Sequence, residues 1–177
     1  MKIPKTPTKG MSARIPNTTD FTIFLDYDNI KDERLDQELI YIQELHKIGD
    51  FHVFRTNEFG RHAVCIDRLP LIEALDVVYG STCDMMFKRG IRINEYRTWI
   101  LRAWGKGERG RPEYIRTIAS PYNGQRLQSQ AHADFLKAFY GAKVRLVNPD
   151  GNDEIEINEY NTSSKVTTKE LLKIKKH

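Results

Sequence analysis

The stretch Phe21-Thr22-Ile23-Phe24-Leu25-Asp26-Tyr27-Asp28-Asn29 decides how the rest of the chain is read. Its first five residues are aromatic, β-branched or aliphatic, the composition of a β-strand. Its end carries two aspartates separated by one residue. Period-two alternation places both carboxylates on one face, where they can grip one hard cation or bridge two. Like charges this close cost free energy unless an ion or cationic group compensates them. A plain strand-to-helix turn, where Asp and Asn bond their own backbone, is the alternative origin of the pattern.

Working outward, Leu35, Leu39, Ile42, Leu45 and Ile48 recur at helical spacing, closed by Gly49. Phe51–Thr56 and Arg61–Ile66 read as strands joined by the turn Asn57-Glu58-Phe59-Gly60. Pro70 opens a helix with Leu71, Ala74, Leu75 and Val78 as its apolar stripe. Thr82–Phe87 reads as a fourth strand and Arg97–Trp104 as a fifth. The order strand, helix, hairpin, helix, strand predicts an α+β, RRM-like two-layer sandwich: a mostly antiparallel sheet, helices on one face, the other face open to ligand. A helix over Ser129–Tyr140 and a hairpin of Lys143–Val147 with Glu154–Tyr160 predict a C-terminal helix-hairpin extension. Residues 1–19 are expected to form a flexible basic leader, 20–162 one domain (core 20–118, extension 119–162) and 163–177 a basic tail.

The chain of 177 residues has a net charge of +4 and two cysteines, Cys65 and Cys83. No apolar run approaches the ~20 residues of a membrane span, no secretory signal opens the chain, and the cysteines read as reduced thiols, so a cytoplasmic protein is expected. The charge is uneven. Each end is basic, and the middle is acidic except for 88–116, where nine Lys and Arg meet three Glu. That block includes Arg97, Arg102 and Lys106, interleaved with Tyr96, Trp99, Trp104 and Tyr114. Such mixing suits phosphates and bases together, although aromatics at this spacing also serve ordinary cores. No calcium-loop spacing, Walker loop, HExxH or GxSxG pattern is present. Ser129 and His132 read as a helix cap with a surface histidine.

Three short motifs remain: Leu25-Asp26-Tyr27-Asp28, Gly60-Arg61-His62 and Cys83-Asp84. Their order and spacing resemble the archaeo-eukaryotic primase (primase-polymerase) superfamily over roughly residues 20–118. That family carries an acidic-x-acidic pair on a strand, a Gly/Ser turn leading to a histidine, and a further strand-borne acid. Gly60 stands where the family usually has a small hydroxyl residue, and two cysteines cannot build a zinc-binding stem. The resemblance implies a small primase or polymerase, a metal-dependent nucleotidyltransferase adding nucleotides on a nucleic-acid template. Asp26, Asp28 and Asp84 would be catalytic and hold two Mg²⁺ or Mn²⁺ ions, and His62 would contact the triphosphate of the incoming nucleotide. From charge and position alone, Arg61, Arg97, Arg102 and Lys106 are further candidates for nucleotide or template phosphates. The implied partners are single-stranded template or primer-template, nucleotide and replication proteins, with no membrane. Two other classes fit parts of the pattern: a non-catalytic RRM-like nucleic-acid-binding accessory module, and a metal nuclease resembling NYN/PIN ribonucleases at Phe24–Asn29.

Overall fold

A computed structural model describes residues 9–105 and 110–159, and the backbone of 162–167. Among the described residues the fold is α+β, with two four-stranded antiparallel sheets and four helices. In chain order the elements are β1 (Gly10–Ser12), β2 (Asp20–Tyr27), α1 (Asp32–His46), β3 (Phe51–Arg55), β4 (Arg61–Pro70) and α2 (Leu71–Gly80). There follow α3 (Met85–Ile93), β5 (Ile100–Arg102), β6 (Glu113–Ile118), α4 (Gln130–Tyr140), β7 (Glu154–Glu159) and β8 (Thr162–Thr167). One sheet runs β2-β4-β3-β6 and the other β5-β1-β7-β8.

The first half follows the hydrophobic pattern closely. Leu35, Leu39 and Ile42 form the buried stripe of α1, and β3 and β4 form the expected hairpin. The α1 helix closes at Lys47, which takes the left-handed conformation (φ 54°) two residues before the glycine expected to end it. Alternation along β2 sends Tyr27 to α1, where its hydroxyl donates to Glu38, and sends Phe24 to the other face against the His132 ring. Asp26 shares that second face.

Four expectations are corrected. Thr82–Phe87 is not a strand: the Asp84 carboxylate accepts from the Phe87 amide at 3.0 Å and caps α3. A cap aspartate satisfies an otherwise orphaned amide, and this outweighs the strand tendency of Met-Met-Phe. The fifth strand shortens to β5 and joins the other sheet, because its partner is β1. The supposed leader is therefore part of the core from residue 10 onward, with Met11 buried between β5 and β7 and Ala13 buried just beyond β1; residues 1–8 lie outside the described residues. Finally, Lys143–Val147 forms no strand. The Gln128 side chain accepts from the Val147 and Asn148 amides, so these donors need no ladder. β7 pairs instead with β1 and β8, which draws 163–167 of the expected tail into the sheet.

The two sheets are joined by the turn from β1 into β2, where Ala13 exchanges backbone bonds with Thr22 and with Trp99. α1 covers one face of the β2-β4 sheet. α4 and the second sheet cover much of the other, leaving a cleft in place of the open face expected. His132 is fully buried, not on the surface. Ser129 caps α4 as expected, its hydroxyl 2.6 Å from His132 Nδ1, while Nε2 lies 2.8 Å from the Ser12 carbonyl. Burial pushes this imidazole down to about 4, so it stays neutral and ties α4 to β1.

Gly10 sits where β1 meets β5, and a Cβ there would stand 2.3 Å from Ile100 Cγ2 and 2.9 Å from the Leu101 carbonyl oxygen. Gly10→Ala is expected to force these strands apart and cost about 1–3 kcal/mol, read as a lower midpoint in thermal unfolding.

Candidate functional site

The site is built where β2 ends. Asp26 lies directly opposite His62 in the β2–β4 register, so both side chains stand on one face. His62 Nε2 is 3.4 Å from Asp26 Oδ1, and the histidine is buried while the aspartate keeps part of its surface open. Asp28 follows the strand end on the same side. Asp84 is brought in by the backbone: its amide donates to the Asp26 carbonyl oxygen at 2.7 Å. That bond docks the N-terminus of α3 against the edge of β2.

These carboxyls crowd one another. The Asp28 carboxyl is pushed above the ordinary range by lost hydration first, then by the neighbouring Asp84 carboxyl and by Asp26; His62 acts in the opposite direction. Asp28 remains exposed on its outer side, so the carboxyl crowding is the part of the shift that an added cation would reverse. Two clefts meet there. The larger, about 600 Å³, is lined by Asp26, Asp28, His62, Thr56, Asn94 and Arg102 among others. The smaller, about 560 Å³, holds Asp28, Asp84, Lys31 and Arg34. Asp28 borders both.

The donors are hard carboxylate oxygens, suited to Mg²⁺ or Mn²⁺. Among the described residues no three His, Cys, Asp or Glu side chains are grouped so as to hold one metal ion. Asp28 adjoins Asp26 on one side and Asp84 on the other, while one Asp84 oxygen is engaged at the α3 cap. Mg²⁺ is commonly held by one or two carboxylates with substrate phosphates and water completing its shell. The residues present fit an ion of that kind better than a closed protein cage.

The basic candidates divide. Arg102 lines the larger cleft, its guanidinium donating to the carbonyls of Trp104 and Gly110 at 2.7 and 2.9 Å. Arg61 does not reach it. Alternation turns Arg61 to the face opposite His62, where it is buried against Asp32 and the carbonyls of Asn57, Glu58 and Gly60. Its expected phosphate contact is corrected to a structural one. Arg97 is exposed in a left-handed turn (φ 52°) and does not line either cleft. Lys106 lies outside the described residues.

Much of the basic block is spent on the fold itself. Lys88 is buried against the Ser81 carbonyl, Arg111 lies 4.7 Å over the Phe139 ring, and Arg116 pairs with Asp32 and Asp36. Trp99 is fully buried against Phe21, and Trp104 packs on Phe135 and Phe139. These rings are core, not a platform for bases.

The sequence reading missed Thr56, Asn94, Asn158 and Glu159, which also line the larger cleft, while Tyr96, one of the aromatics of the basic block, does line it. Asn158 and Glu159 come from β7 in the second sheet, and no local signal marks them.

No family model matches the chain, and no curated protein or solved structure matches it.

Asp28→Asn removes a charge from the crowded cluster. It is expected to raise the thermal midpoint at pH 7. A carboxyl with a raised folded-state pKa destabilises the fold once it ionises, so the gain should shrink as pH falls and wild-type Asp28 takes up its proton. Thermal unfolding of both proteins from pH 4 to 8 checks the sign. Addition of Mn²⁺ should stabilise the wild type and leave Asp28→Asn nearly unmoved.

Proposed function

We propose that the protein is a metal-dependent nucleotidyltransferase of the primase-polymerase kind, acting in the larger cleft. One observation carries the reading: Asp26 and His62, 36 residues apart in the chain, stand side by side on adjacent strands with Asp28 beside them at the cleft. This is the juxtaposition that the motif resemblance requires of its acidic pair and its histidine. Asp84 supports it by reaching Asp28, although from a helix cap and not from a strand.

In this reading Asp26 and Asp28 would hold Mg²⁺ or Mn²⁺, and Asp84 would support them through Asp28. The ion would neutralise charge developing on the transferred phosphoryl group. His62, oriented by Asp26, is placed to donate a hydrogen bond to a phosphate oxygen. Arg102 adds positive charge along the cleft wall. The hydroxyl that Gly60 lacks has a neighbour in Thr56: a Cβ at Gly60 would stand 2.3 Å from Thr56 Oγ1. Thr56 therefore occupies the space of a side chain at 60 and presents a hydroxyl at the cleft.

The test incubates the protein with Mn²⁺, labelled nucleotides and a primed single-stranded template, beside labelled RNA without nucleotides. Extension of the primer is expected. Shortening of the RNA would replace the reading with a nuclease, and a mobility shift without either reaction with a binding module. Asp26→Ala is expected to lower extension by about 10²–10³-fold or more with circular dichroism unchanged. Retained extension in that variant would overturn the site. Arg102→Ala is expected to weaken nucleic-acid binding and reduce the slope of log affinity against log salt by about 1.

A further inference from the structure

The proposed function fills the larger cleft and leaves the smaller one, of about 560 Å³, without a ligand. Asp28 and Asp84 supply the carboxylates of that smaller cleft, and Lys31 and Arg34, at the start of α1, supply its cations. Asn29 and Thr82, both exposed, add neutral polar groups. Lys31 and Arg34 are three residues apart, the spacing that sets two side chains on one side of a helix. Among the described residues neither side chain forms a hydrogen bond, an ion pair or a ring contact. That is uncommon in a protein where Arg61, Arg68, Arg116, Arg126 and Arg145 all pair with carboxylates. The acids nearby are engaged elsewhere. Asp32 binds Arg61 and Arg116, and Glu38 accepts from the Tyr27 hydroxyl and the Thr82 amide. Glu33 does not line the cleft.

Two cations and two carboxylates balance in the bare cleft. With a divalent ion on the acids, as the proposed function requires, the smaller cleft is net positive and its ligand is an anion. The reaction says which anion. Nucleotidyl transfer is an in-line displacement: the 3′-oxygen of a strand bonds to the α-phosphorus of the nucleotide while the bond to pyrophosphate breaks on the opposite side. The electron pair leaves with pyrophosphate, and the hydroxyl proton passes to water. Nucleotide and strand must therefore reach the same acids from different sides, which needs two openings. Asp28 borders both clefts. With the triphosphate at His62 in the larger, the smaller is left for the strand.

We infer that the smaller cleft holds the 3′-terminal stretch of the strand being extended, with Lys31 and Arg34 on its phosphodiester oxygens. The inference rests on the nucleotidyltransferase reading and names the groove of its second substrate. Cations placed along a backbone fix its position without reading bases. That suits a strand whose terminal base changes with every addition.

Fluorescence anisotropy of the full chain with a labelled primer-template, in Mn²⁺ and over a range of potassium chloride concentrations, tests this. Lys31→Ala and Arg34→Ala are each expected to weaken binding and to lower the slope of log affinity against log salt by about 0.7–0.9, the loss of one phosphate contact. Lys143→Ala, at an exposed lysine that lines neither cleft, is expected to keep the wild-type slope. Nucleoside triphosphate binding, read by isothermal titration, is expected to stay within about twofold in the Lys31 and Arg34 variants. A second measurement uses the wild type alone: a primer ending in 4-thiouridine is photo-crosslinked and the attachment is mapped by mass spectrometry. Attachment is expected within 27–34 or 82–84. Attachment elsewhere overturns the groove, as do wild-type affinity and slope in both variants or an equal loss in Lys143→Ala. Primer extension by the wild type then leaves the proposed function standing. A wild type that binds the strand through Lys31 and Arg34 yet extends no primer keeps the groove and overturns the proposed function. A wild type that binds no nucleic acid overturns both.

Discussion

The register of β2 against β4 is the constraint on which the rest of the molecule depends. With Asp26 opposite His62, antiparallel pairing puts an acid and an imidazole on one face, and the same alternation turns Tyr27 and Arg61 toward α1. A one-residue slip of β2 would exchange its faces, burying Asp26 against the helix and sending Tyr27 into the cleft. The apolar residues Phe24, Leu25, Ala63 and Val64 hold the register because each has a buried side to lose. The hydrophobic core thereby positions polar groups that contribute little to it.

Charge in this protein is largely consumed by architecture. Arg68 pairs with Asp20 and with Asp150, whose side chain is almost fully buried, pinning the loop before β7 to the start of β2. Arg145 does the same for the stretch after α4 through buried Asp50. Arg116 and Arg61 converge on Asp32 at the start of α1. Breaking a buried pair leaves an uncompensated charge, so these contacts fix where the irregular segments run even if their net contribution to stability is small. Positive charge counted along the chain therefore overstates what is offered to a polyanion.

The acidic cluster works in the other direction. Asp28 stands where two clefts meet, beside two carboxyls that disfavour its ionisation. A fold selected only for stability would place a neutral residue there. The backbone bond from Asp84 to Asp26 holds the arrangement together, because it fixes α3 on the edge of β2 whatever the side chains prefer.

The sequence by itself determined β2, α1, the β3–β4 hairpin, α2 and α4, because each buries a periodic apolar face that its own residues announce. It also determined that Asp26, Asp28 and His62 share a face, since period two and a hairpin leave little freedom. Tertiary structure decided the rest. Residues 10–12 look like polar leader, yet they become the strand that β5 and β7 both pair with. Asp84 left its expected strand because a cap bond within four residues outweighs weak strand propensity. Asn94 and Asn158 line one cleft from segments far apart in the chain, a meeting that only the packing of two sheets could arrange.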